Sequence, residues 1–138
     1  MRFRPGIFIL LFGLLSCVKD GVDRIPDAYV DYHITFQEFN IKNQNGVLIV
    51  DKGNNTGVAG LIIYRRPDNS YVAYDRCSSV NPEQRCAIEP DDPNLTATDP
   101  CSGAKFSLYD GSPVKAPAKR PLKQYQVIIT NFGLTVRN

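Results

Sequence analysis

Four cysteines, Cys17, Cys77, Cys86 and Cys101, and a single histidine, His33, are the residues of this 138-residue chain whose chemistry reaches beyond packing. Thiolates hold soft metals or close disulfides, and an imidazole can ligate a metal or move a proton near neutral pH. One histidine sets limits at once. A nucleophile activated by a His base needs a Ser or Cys beside the ring, and no recognisable arrangement of that kind accompanies His33, so no enzyme activity is expected. Cys77, Cys86, Cys101 and Asp99 would make four donors for a metal. A cysteine pair in a small exported domain is more often a disulfide, and no metal is expected.

The N-terminus carries the case for export. Met1-Arg2-Phe3-Arg4 is a short basic segment, Gly6 to Leu15 is an apolar run of ten residues, and Leu14-Leu15-Ser16-Cys17 follows where a signal peptidase would cut. The run is too short to span a bilayer. Leu-x-small-Cys resembles the bacterial lipobox, which implies that residues 1–16 are a signal peptide and that Cys17 is acylated and becomes the first residue. Residues 17–26 then read as lipidated cysteine and polar tether. Lys19-Asp20 resembles, over two residues, signals that send some Bacteroidetes lipoproteins to the cell surface. The expected location is the bacterial envelope, at the outer membrane or its periplasmic face, with the membrane held through lipid.

Removal of residues 1–16 leaves 138 − 16 = 122 residues, enough for one domain with one core. It also takes away Arg2 and Arg4, so 16 − 2 = 14 basic side chains balance 14 acidic ones. A neutral chain lacks the basic surface that phosphates demand, which argues against a nucleic-acid partner.

The chemistry-bearing residues sit among short strands. Val30, Tyr32, Ile34 and Phe36 alternate with Asp31, His33, Thr35 and Gln37, the period of a strand with one buried face, and His33 falls on the polar side. Asn45-Gly46 is a turn ahead of Val47 to Val50. Further strands are expected over 61–64, 71–74, 105–108, 124–130 and 134–137, with turns at 67–70, 110–111 and 131–133. Almost nothing has helical period. Asp91-Asp92 between Pro90 and Pro93 reads as a solvated turn, and Lys115, Lys119, Arg120 and Lys123 as a proline-braced solvated loop. Short strands with frequent turns predict an all-β sandwich or barrel over residues 27–138.

The stretch from Tyr74 to Tyr125 resembles a Rieske iron–sulfur domain, whose 2Fe–2S cluster takes two Cys and two His from two loops. The family motifs are Cys-x-His and Cys-Pro-x-His-Gly. Here the loops read Cys77-Ser78-Ser79 and Asp99-Pro100-Cys101-Ser102-Gly103, so Ser79, Asp99 and Ser102 stand at three of the four ligand positions and Cys77 alone is retained. Lys105-Phe106-Ser107-Leu108 with Asp110-Gly111 is similar to the hairpin leaving the second loop, and Pro117-Ala118-Lys119-Arg120-Pro121-Leu122 to a loop near the cluster.

The resemblance implies an antiparallel Rieske-like sandwich or barrel with two loops at one end. It also implies a disulfide between the loops, with Cys101 at one of its positions. Cys86 is the preferred partner and Cys77 the competitor. With one histidine in the chain an ordinary Rieske centre is excluded by counting. The expected protein is a lipid-anchored envelope module without cofactor that engages an envelope protein partner or serves structurally. The competing expectation is an electron carrier with an atypical 2Fe–2S cluster.

Overall fold

A computed structural model describes residues 24–138; Cys17 and the signal and lipidation segments lie outside the described residues. The first strand, β1 (Asp31–Thr35), is shorter than the alternation predicts, because Thr35 caps a helix instead of extending the strand. Its hydroxyl accepts the Glu38 N–H at 3.1 Å, and the Glu38 carboxylate reaches back to the Thr35 N–H at 3.3 Å. This reciprocal pair opens α1 (Phe36–Lys42), a short helix that the two-residue period had hidden. It buries Phe39 edge-on against Tyr71. Asn45 and Gly46, both at positive φ, then turn the chain into β2 (Val47–Val50).

β3 (Leu61–Arg65) and β4 (Tyr71–Asp75) continue an antiparallel meander. Four short strands follow: β5 (Glu89–Pro90), β6 (Thr96–Thr98), β7 (Lys105–Ser107) and β8 (Pro113–Lys115). The long strands β9 (Gln124–Ile129) and β10 (Gly133–Arg137) close the chain. β9 pairs with β4, so everything between them is an insertion carrying its own four-stranded sheet, in order β5-β6-β7-β8. The larger curled sheet runs β1-β10-β9-β4-β3-β2, and the described fold is all-β apart from α1 and a single 3-10 turn at Pro82–Gln84.

β3 is buried on both faces, which explains its unbroken Leu-Ile-Ile-Tyr run. Ile62 and Tyr64 face the insertion and pack with Tyr74, Ile88, Phe106 and Leu108. Leu61 and Ile63 face the hollow of the curled sheet with Phe39, Tyr125, Leu134 and Val136. Each such large side chain, fully buried, contributes roughly 1.5–3 kcal/mol. The Tyr74 hydroxyl donates to the Leu108 carbonyl at 3.1 Å, tying the two sheets together. Asp91 differs from its expected solvated state. It is half-buried and binds Lys105 Nζ at 2.8 Å, Thr96 Oγ1 at 2.6 Å and Thr98 Oγ1 at 2.7 Å.

Candidate functional site

Two loops of the insertion meet at one end of the molecule. The first leaves β4 and doubles back on itself: Ser78 N–H donates to the Cys86 carbonyl at 2.9 Å and Ile88 N–H to the Arg76 carbonyl at 2.7 Å. Asn81 and Arg85, both at positive φ, bracket the 3-10 turn at its tip. The second joins β6 to β7 as a tight turn, with Asp99 N–H on the Ala104 carbonyl and Gly103 N–H on the Asp99 carbonyl.

A buried carboxylate joins the loops. Asp99 Oδ2 accepts the hydroxyls of Ser78 and Ser102, each at 2.7 Å, and Oδ1 accepts the Cys101 N–H at 2.8 Å. Both serine oxygens are themselves acceptors, from Val80 N–H at 3.1 Å and Ala104 N–H at 3.2 Å. Every polar atom of the knot therefore has a partner, as a buried charge requires. Beside it Cys86 and Cys101 form a disulfide with Cα atoms 6.3 Å apart, crossing from one loop to the other.

The remaining motif positions are dispersed. Ser79 donates its hydroxyl to the Arg120 carbonyl at 2.7 Å, away from Asp99. Cys77 is a free thiol in a small apolar cluster with Val58, Ala59, Ile25, Ala28 and Ala87. Burial, assisted by the negative charge of Asp75, pushes this thiol up to about 11 and keeps it protonated. His33 is exposed on the far strand β1, with Nδ1 2.8 Å from Thr135 Oγ1 and Nε2 3.1 Å from Asp31.

A second polar knot supports the first loop. Asp75, fully buried at the end of β4, accepts from Val58 N–H at 2.6 Å, Ala59 N–H at 3.1 Å, Cys77 N–H at 2.8 Å and the Tyr125 hydroxyl at 2.8 Å. Burial, together with this bond to a carboxylate, raises the Tyr125 phenol far above its usual range. Gly57, at φ +80°, lets the 57–59 segment approach, since a Cβ there would collide with Asp75 Oδ2. Sequence reasoning passed over both Asp75 and Ser78. Ser78 occupies the spacer position of Cys-x-His, and Asp75 ends a strand whose alternation says nothing of partners near residues 58 and 125.

The donors present do not fit a 2Fe–2S cluster. Cys86 Sγ, Cys101 Sγ and an Asp99 oxygen lie within 4.8 Å of one another, but the two sulfurs are spent on each other and the carboxylate already accepts three hydrogen bonds. No imidazole lies near, and the Cys77 sulfur belongs to the apolar cluster.

No protein-family model matches the sequence, and no curated protein matches it. The fold itself recurs among solved structures. The plasma membrane Rieske protein of the cyanobacterium Synechocystis PCC 6803 superposes with a TM-score of 0.58 at 19% identity, over 81% of this chain and 100% of that one. The complex of reduced oxygenase and oxidized ferredoxin in carbazole 1,9a-dioxygenase contains a chain matching at 0.53 and 17% identity, covering 76% of this chain and 99% of that one. The ferredoxin of carbazole 1,9a-dioxygenase from Nocardioides aromaticivorans IC177 matches at 0.52 and 16%, covering 80% and 98%. The domain thus has a Rieske-like fold, and the likeness at these identities is one of fold.

Proposed function

We propose that this chain is a bacterial envelope lipoprotein, anchored through an acylated Cys17, whose Rieske-like domain has lost its iron–sulfur cluster and acts as a binding or structural module for an envelope protein partner. The observation that carries the proposal is the occupancy of the loop end. Where the fold calls for two imidazoles and two thiolates, hydroxyls and a hydrogen-bonded carboxylate hold the loops together. Hydroxyls are poor donors to iron beside imidazole or thiolate. The order of basic, apolar and Leu-Leu-Ser-Cys segments supports the anchor.

Iron and acid-labile sulfide, measured after anaerobic purification together with the visible spectrum, test the first half. Colourless protein with neither element is the expected result. Near-stoichiometric iron and sulfide, both lost in Cys77→Ser, would overturn it and favour an electron carrier with an atypical cluster, a reading supported by the ferredoxins that share the fold. Mass spectrometry of the N-terminal peptide tests the second half: an acylated Cys17 is expected, and a chain retaining Met1 refutes the anchor.

A further inference from the structure

The end of the domain that carries the two loops is also where the chain enters it. Arg24 and Ile25 line a cleft of about 250 Å³ with Ser79 of the first loop and Arg120, Pro121 and Lys123 of the segment leading into β9. Along the entry, Lys123 Nζ donates to the Pro26 carbonyl at 3.1 Å and pairs with Asp27 at 2.6 Å, while Ile25 and Ala28 pack beside Cys77. Six residues lie between Cys17 and Arg24, and the seven steps of a fully extended chain reach about 25 Å at most. A lipid on Cys17 therefore keeps this end of the molecule within about 25 Å of the bilayer.

Basic side chains outnumber acidic ones on the exposed surface at that end. Across residues 24–28, 76–88 and 116–123 the basic side chains are Arg24, Arg76, Arg85, Lys119, Arg120 and Lys123, of which Arg24, Arg85, Lys119 and Arg120 belong to exposed residues. The acidic ones are Asp27, already paired with Lys123, and Glu83. With Arg76 paired to Asp51 and the carboxylates of Asp75 and Asp99 buried, the exposed side chains of these segments carry a modest positive excess.

We propose that the loop end, through Arg24, Arg85 and Lys119, docks on the anionic headgroups of the membrane that holds the lipid, so that the loops lie against the bilayer. This rests on the lipid-anchor reading above. Basic side chains within a Debye length of an anionic surface are attracted to it, and salt weakens the attraction. The hairpin between β9 and β10, with exposed Phe132 at its tip, lies at the opposite end of β9 and points away from the bilayer.

The test uses the mature acylated protein in vesicles of phosphatidylcholine alone and of phosphatidylcholine with phosphatidylglycerol. Amide hydrogen exchange is read at residues 79–85 and 118–121, and flotation reports attachment. Exchange there should slow by about tenfold in the anionic vesicles and recover in high salt, while flotation persists in both lipids. The triple variant Arg24→Gln, Arg85→Gln, Lys119→Gln should lose the slowing and still float; its melting curve checks folding, and the salt titration of the unaltered protein tests the same claim without any substitution. Equal exchange in the two vesicle types, in protein that floats, overturns the docking and leaves the anchor intact. Protein that fails to float, with an unmodified N-terminal peptide, refutes the anchor and the docking with it.

Discussion

Replacing Asp99 by Asn changes one atom at the junction of the two loops and should cost far more than a surface substitution. The Asn carbonyl can keep the Cys101 N–H, but the amide nitrogen then faces the hydroxyls of Ser78 and Ser102, which now donate to Oδ2 at 2.7 Å. Those hydroxyls must turn their protons elsewhere in a buried site. Two bonds to a charged acceptor are lost, each worth about 1.5–3 kcal/mol, and the new amide N–H contacts restore part of that, so the net loss is about 2–4 kcal/mol. Urea unfolding of the oxidised protein, followed by circular dichroism, should show a lower midpoint with an unchanged slope. Ser78→Ala supplies the control. Alone it should cost about 1–2 kcal/mol, and in the Asp99→Asn background close to nothing, a coupling of more than about 1 kcal/mol. A cost for Asp99→Asn below about 0.5 kcal/mol, or additive effects of the pair, would refute the view that this carboxylate holds the loops.

Opening the disulfide with Cys86→Ser and Cys101→Ser together removes a cross-link spanning 15 residues, for which chain entropy gives about 3 kcal/mol; the urea midpoint should fall accordingly with the fold retained, and unchanged stability would contradict the estimate. Alkali should weaken the domain before acid chemistry enters. Cys77 is raised to about 11 and Tyr74, by burial, to about 12. Between the unfolded thiol value of about 8.5 and the folded one, the unfolded chain has released a proton that the folded chain keeps, so stability is full below that window and falls as pH rises through it. Urea midpoints taken from pH 7 to 11 should decline, less steeply in Cys77→Ala, and a midpoint that holds or rises would refute the assignment. Gly57→Ala places a methyl on Asp75 Oδ2 at a positive φ and should destabilise by about 2 kcal/mol or more, read as a lower melting temperature.

The long strands were readable because each has one apolar face or, in β3, two. Phe36 misled the alternation by extending it one step into a helix, although Thr35 and Glu38 already spelled a capping box. β5, β6 and β8 have only two or three residues, too few for any period to register. At the loop end, resemblance singled out Cys86, Cys101, Ser79, Asp99 and Ser102 as positions but could not say how they would be wired. The wiring runs through Ser78, not Ser79, because the spacer residue and not the ligand position faces Asp99. Asp75 was invisible for a related reason: apart from the nearby Cys77 N–H, its partners lie 16 or 17 residues before it and 50 after, distances on which local pattern is silent.

The stitching of residues 25–30 into the domain determines how the protein would carry a mechanical load. Beyond the Lys123 contacts, the Asn138 side chain donates to the Ala28 carbonyl at 2.6 Å and accepts the Val30 N–H at 3.2 Å, and β1 then joins β10 through five residue pairs. Tension applied at Arg24 meets the contact of Ile25 beside Cys77 first and then the Lys123 contacts with Pro26 and Asp27, of which the ion pair, with Asp27 fully solvated, yields at little cost. Next come the contacts of Ala28 with Cys77 and Asn138, and only after them the β1–β10 ladder, whose rupture would open the core against Ile34 and Leu134. Such a joint would yield in steps, the first of them lengthening the chain while the β1–β10 ladder still holds.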